Sequence, residues 1–400
     1  MNIGSSGLMI DSASYAARQV EALGRIGSCL SDELATPRKL QGGDIVPISG
    51  SPRRTPPEHV VAAAQAALRE TGYAPVRGTA SLRRAIGQRV LDVTSVPIDS
   101  DSQVVVTNGA MQALHIILTA LLNPDDEVII PSPCFSYDGL VKLARGRPIY
   151  VPMRAEENFA WDMDRIDAAV GPRTKLLVVN TPVNPSGRVL THEELVRLVD
   201  IAQRHDLLIL ADEAYDRLVF DGRKHESIYG VNGAAERTLL VQSATKTFAM
   251  GGWRVGWIVA SPSFSAMFAK LVEWMMLASN HVAQAAVAAA IVGPQQWLED
   301  LPLEFQVNRD RAVDALRNIE KLSFVVPQGG PFMLPDISAL GFSGDEFAHL
   351  LIAEHGLRVT GGSFYDTPSR IRIPLGGTPE AIDETFRRLG QAVREQARRR

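Results

Sequence analysis

The run SATKTFAMGGWRVGW, residues 243–257, sets Lys246 among small and apolar residues, with Ser243 three positions before it and Arg254 eight after it. Gly251, Gly252 and Trp253 fill the gap, and the run holds no acidic residue. Burying an ammonium is costly unless it is paired or put to chemical use. A lysine in apolar company with cationic neighbours has the character of an amine that forms imines.

Outward from this run, short apolar stretches alternate with helical patterns. Residues 103–107, 127–130, 148–151, 175–180, 207–212, 238–242 and 255–259 read as strands. Residues 110–122, 137–144 and 191–205 read as helices, the last opened by the capping sequence Thr-His-Glu-Glu. The strands are continuously apolar rather than alternating, as strands buried on both faces are. The expectation is an α/β fold: a large domain, 47–294, with a mostly parallel seven-stranded sheet between helices. Beyond residue 294 come a long helix (304–319), short strands and a closing helix (379–399). That part, 295–400 joined by 1–46, is expected to form a smaller α+β domain. In a parallel sheet the ligand lies beyond the carboxyl ends of the strands. Polar residues gather at those ends: Asn108–Gly109, Asn180–Gly187, Asp212–Tyr215 and Ser243–Lys246.

The bulk numbers narrow the function classes. A chain of 400 residues that is 46% hydrophobic and 22% charged is neither disordered nor of low complexity. Its net charge of -4 gives no footprint for nucleic acid, and the basic end at 394–400 reads as the end of a helix. The two cysteines, Cys29 and Cys134, make neither a disulfide framework nor a metal-ligand spacing. Together with the lack of a signal-peptide pattern this points to the cytoplasm. The apolar window 271–293 contains Glu273, Asn280, His281 and Gln284, so it is read as buried helix and not as a membrane span.

Two further stretches carry chemistry. NTPVNPSG (180–187) is a turn built around Asn180 and Asn184, and ADEAYD (211–216) ends a strand on Asp212, whose burial demands a cationic or donor partner. With YAPVRG (73–78) and Leu82–Arg83, NGAMQ (108–112), PCFSY (133–137), the lysine run and RIRI (370–373), these motifs stand in an order that resembles the class I/II aminotransferases of the aspartate aminotransferase type. The resemblance extends from residue 11 to residue 395 and implies a pyridoxal 5′-phosphate-dependent transferase fold of type I. It implies that Lys246 forms the Schiff base with the cofactor and later moves the α-proton. Asp212 is then the partner of the pyridinium nitrogen, which keeps the ring an electron sink. Asn184 and Tyr215 donate to the ring oxygen, and Asn180 joins the same cofactor site. Backbone groups of Gly109, Ala110 and Met111 at a helix N-terminus hold the phosphate, completed by Ser243 and Arg254. Tyr73 reaches the phosphate of a neighbouring subunit, which implies a homodimer. Gly50 lines the substrate pocket. Arg372 grips the substrate α-carboxylate, chosen over Arg370 because the following Ile-Pro fits the family's pattern.

The sequence departs from that pattern in three places. At 50–54 it reads GSPRR, so Arg53 and Arg54 are either a solvated loop or a contact to an acidic or phosphorylated substrate. The aromatic that stacks on the ring is counted as Cys134 three residues before Tyr137, or as Phe135 with a one-residue deletion; Phe135 is preferred because a flat ring suits a flat cofactor. Met111 stands where aspartate-specific relatives carry lysine, which turns the expectation from aspartate toward an apolar, aromatic or unusual amino acid. His281 is either a contact to substrate or an ordinary helix-start histidine. The implied reaction is transamination between an amino acid and a 2-oxo acid by a ping-pong mechanism. The alternative is a lyase on the same fold, by β-elimination or decarboxylation. A transcriptional regulator is disfavoured, because the first forty residues are too short and too weakly basic for a DNA-binding module. No membrane partner is expected.

Overall fold

The computed structural model of the chain describes residues 44–399. The N-terminal segment assigned above to the small domain therefore lies, up to residue 43, outside the described residues, and so does Cys29.

A seven-stranded sheet forms the centre, in the order β1-β7-β6-β5-β4-β2-β3. Its strands are β1 (Val104–Thr107), β2 (Glu127–Ser132), β3 (Arg147–Pro152), β4 (Thr174–Asn180), β5 (Leu208–Asp212), β6 (Thr238–Ser243) and β7 (Gly256–Val259). β7 runs antiparallel to both of its neighbours, and the pairings from β6 through β3 are parallel. β1, β2, β6 and β7 are buried along their whole length, as the unbroken apolar runs predict. β3 is an edge strand and is exposed at both ends.

Helices cover both faces. His192–Arg204 opens with a capping box between Thr191 and Glu194 and buries Leu195, Leu198, Val199, Ile201 and Ala202. Such a cap contributes about 1 kcal/mol. The window 271–293 is not one helix. It divides into Pro262–Met276 and His281–Val292, and Asn280 caps the second through a bond from the Ala283 N–H. The first helix ends where Leu277 takes a positive φ of 63, and Asn280 opens the next. Among the described residues no helix is long and apolar enough to cross a membrane.

After Leu301–Arg317, a three-stranded sheet forms from β8 (Phe332–Met333), β9 (Thr360–Gly361) and β10 (Ile371–Pro374), with β10 in the middle. Pro379–Arg399 closes the chain and packs against Leu301–Arg317.

Candidate active site

Register brings the strand ends together. Asn180 pairs with Asp212 across β4 and β5, and Gly256 pairs with both Ser243 and Thr107. Asn180, Asp212, Ser243 and Thr107 thus share one edge of the sheet, where the chain turns into loops or helix starts.

Asp212 is 6% exposed. Its carboxylate accepts a bond from the Tyr137 hydroxyl at 2.8 Å and one from the Ala214 N–H at 3.1 Å. Burial holds its carboxyl above the ordinary carboxylate range, and these two donors only partly offset that. Tyr137 was not among the residues assigned to the site from sequence. Its signal was present, a tyrosine opening the helix Tyr137–Leu143 after Pro-Cys-Phe-Ser, but only the fold aims that hydroxyl at Asp212.

A line of polar groups runs away from Asp212. The Asn180 amide donates to the Asp212 carbonyl at 2.8 Å, and its oxygen accepts from the Asn184 N–H at 2.8 Å. Both ends of Asn180 thereby serve the backbone and set the loop. The Asn184 amide donates to the Tyr215 hydroxyl at 3.1 Å, and its oxygen accepts from Arg372 at 3.1 Å. Burial pushes the Tyr215 phenol up; Arg372 and Asn184 act against it. The Arg372 guanidinium lies 3.9 Å from the Phe332 ring centroid and 4.6 Å from that of Tyr365, and its Nε is buried without a partner. Arg370 leaves this line: it pairs with Asp336 at 3.0 Å and lies over Phe159.

An anion cup lies at the start of the helix Ala110–Leu121. The N–H groups of Ala110, Met111 and Gln112 have no partner within the helix. Gly109 caps it at φ 84, and a Cβ there would sit 2.5 Å from an Arg254 nitrogen. Arg254 reaches the Gly251 carbonyl at 3.0 Å and the Asn108 carbonyl at 3.3 Å. Gly256 has no room for a side chain either, since its Cβ would lie 2.6 Å from the Gly109 carbonyl carbon. Ser243, 1% exposed, precedes the turn Ala244–Thr247 and does not cap it. A cleft of about 680 Å³ opens beside the cup, lined by Arg54, Asn108, Trp253, Arg254 and Asn280. Helix dipole, free donors and guanidinium together favour an anion here.

Lys246 sits in that turn. Its Nζ donates to the Gly50 carbonyl at 2.9 Å and to the Ser51 hydroxyl, and lies 5.8 Å from the Tyr215 ring centroid. Gly50 itself is pressed against Phe332, 2.5 Å from where a Cβ would stand. Phe135 is half-buried, edge-on to Tyr137 and Phe364. Cys134 is 5% exposed and faces the apolar cluster of Leu114, Val128 and Leu140. Arg54 spans to Asp300 at 3.2 Å and Glu304 at 2.7 Å, a structural use, whereas Arg53 is exposed. His281 is half-buried at its helix start. Met111 is 42% and Tyr73 87% exposed.

The family model described as aminotransferase class I and II matches residues 48–389. The chain belongs to this family. It is 34% identical over 356 residues to the aromatic-amino-acid aminotransferase 2 of Thermococcus litoralis, covering 86% of this chain and 90% of that one. It is 34% identical over 367 residues to the arginine–pyruvate transaminase of Pseudomonas aeruginosa, covering 90% and 93%. The aspartate aminotransferase of Thermus thermophilus with maleate superposes at a TM-score of 0.87 with 31% identity, covering 94% of this chain and 99% of the other. The enzyme is accordingly a pyridoxal 5′-phosphate-dependent aminotransferase, and the relatives named here are aminotransferases rather than lyases.

The residues present fit that cofactor. A cup closed by Gly109 and Arg254 suits its phosphate, and a buried carboxylate at Asp212 suits a protonated ring nitrogen. Gly109→Ala forces a Cβ into the Arg254 guanidinium and into a left-handed backbone. It is expected to weaken cofactor binding about tenfold or more. Fluorescence titration of the cofactor-free protein measures this.

Proposed function

We propose that the enzyme moves the α-amino group of an apolar or aromatic amino acid to a 2-oxo acid. The observation that carries this reading is the hydrogen-bonded line Arg372–Asn184–Tyr215, which ends beside Lys246. Bound pyridoxal phosphate supplies a carbonyl carbon for the amine and a ring that withdraws electrons from Cα. Arg372 holds the substrate carboxylate, and the apolar faces of Phe332 and Tyr365 against it keep water from competing. Lys246 would take the α-proton of the bound substrate and carry it on its amine. Asp212 stays ionised against a ring cation, and Tyr137 fixes its carboxylate plane. Asn184 and Tyr215 would donate to the ring oxygen, while Ser243, Arg254 and the N–H groups from Gly109 to Met111 would hold the phosphate. Asn180 supports this set through the backbone, and Phe135 rather than Cys134 would cover the ring.

Met111 offers no charge to a distal carboxylate, which supports a preference against aspartate. Gly50 closes the pocket over Lys246 with its carbonyl. The chain acts as a homodimer in which Tyr73 serves the neighbouring subunit's site. The exposed Tyr73, Trp274 and Leu277 support this. Residues 47 to 294 form the cofactor domain, and of the other described residues 295–399 form the smaller one. We place the enzyme in the cytoplasm, in keeping with the free thiol of Cys134.

A panel of amino acids supplied with and without a 2-oxo acid tests the reaction. Turnover that requires the oxo acid, with parallel double-reciprocal lines and with phenylalanine or leucine faster than aspartate, is the expected result. Pyruvate and ammonia released without an oxo acid would overturn it. Arg372→Lys loses the planar fork, worth about 2 kcal/mol, so kcat/KM falls about thirtyfold. The loss resides mostly in KM, as steady-state kinetics will show.

A further inference from the structure

Lys246 stands on a single helical turn, Ala244–Thr247, too short to hold its own shape. Gly251 and Gly252 follow it, so the chain downstream adds little stiffness. Tertiary bonds must therefore place the amine.

A buried charge cluster lies behind this turn. Asp216 is 7% exposed, and its carboxylate accepts a bond from the Thr247 hydroxyl at 2.7 Å. The other carboxylate oxygen takes Arg89, a residue of the helix Ala80–Thr94. Thr247 follows Lys246 directly, and Asp216 follows Tyr215 directly. The guanidiniums of Arg89 and Arg217 lie 5.4 and 5.6 Å from the ring centroid of buried Phe248, the next residue of the same segment. Glu213 is anchored nearby by His225 at 3.2 Å and by the Ser227 hydroxyl at 2.9 Å. Burial opposes the ionisation of Asp216, yet Arg89, His225 and Thr247 outweigh it and keep the carboxyl below its ordinary range. A bond to an ionised acceptor is short and strong, which suits a fixed strut.

We propose that Asp216, held by Arg89, is a positioning residue that fixes the Lys246 turn against Tyr215 through the hydroxyl of Thr247. It touches neither substrate nor cofactor and acts through the backbone that both catalytic side chains share with it. This inference rests on the reading of Lys246 as the reactive amine.

Thr247→Val keeps shape and volume and deletes the donor; Thr247→Ser restores it. In Thr247→Val, kcat is expected to fall about 10- to 100-fold while KM stays within about twofold. Thr247→Ser is expected to recover to within about threefold of the parent. A second readout needs no cofactor: the pH dependence of Lys246 acetylation in the cofactor-free protein, followed by mass spectrometry. Its midpoint is expected to move in Thr247→Val and to return in Thr247→Ser. Asp216→Asn is expected to shift the same midpoint in the same direction. Should Thr247→Val fail to fold, Thr247→Ala carries the same readouts. A lower Tm with kcat and the acetylation midpoint unchanged would overturn the strut and leave Lys246 in place. Full activity in Lys246→Ala would instead overturn the underlying reading.

Discussion

Lys246→Ala is expected to lower kcat by about 10⁴-fold or more, because one side chain supplies both the nucleophilic amine and the proton carrier. The fold has little reason to suffer. Lys246 is half-buried, and the two acceptors it would leave, the Gly50 carbonyl and the Ser51 hydroxyl, belong to partly exposed residues. A Tm within a few degrees of the parent is therefore expected, alongside the kinetic loss. Borohydride treatment followed by peptide mass analysis should mark Lys246 in the parent and nothing at that position in the variant. Retained turnover, or reduction at another lysine, would be decisive against the assignment.

Asp212→Asn has the second-largest expected effect, a loss of about 10³-fold in kcat, since the charge aimed at the ring is removed while the shape is kept. The same change bears on stability with opposite sign. Burial raises the carboxyl pKa of Asp212 in the folded protein. The folded state therefore binds the proton more tightly than the unfolded chain does. Stability from this group is complete below the ordinary carboxylate value of about 4 and is lost as pH rises through the higher folded value. Asparagine at 212 does not titrate. In the cofactor-free protein the Tm of Asp212→Asn relative to the parent should therefore climb as pH rises above about 4. A difference that stays flat with pH would show that Tyr137 and Ala214 already compensate the buried charge. Asp216, four residues on, has its pKa moved downward by Arg89 and its neighbours. The pKa values of two carboxylates four residues apart are thus driven in opposite directions by their surroundings, Asp212 upward by burial and Asp216 downward by its cationic neighbours.

Much of this is legible in the sequence. The unbroken apolar runs at 103–107, 175–180 and 238–242 fall on β1, β4 and β6, because a strand buried on both faces has no polar side to display. The polar clusters that follow them share one sheet edge for the same topological reason. The capping sequence at 191–194 placed its helix to within a residue, since the bonds concerned are local. The window 271–293 reads as buried helix from its composition, but its division at Leu277, which takes a positive φ, depends on where the chain turns. The antiparallel course of β7 left no mark either, as an apolar strand looks alike in both directions.

Residue chemistry in chain order determined the family-like motif set and the identity of Lys246, Asp212, Asn184, Tyr215, Arg254 and Arg372 as the groups to watch. Tertiary structure alone decided which groups meet: Tyr137 on Asp212, Arg372 rather than Arg370 on Asn184, Arg54 with Asp300 and Glu304, and Asp216 beneath the Lys246 turn. Local propensity and burial are written in short windows of sequence. Contacts between residues tens or hundreds of positions apart arise only when sheet register and helix packing fix their distance, and those are properties of the whole folded chain.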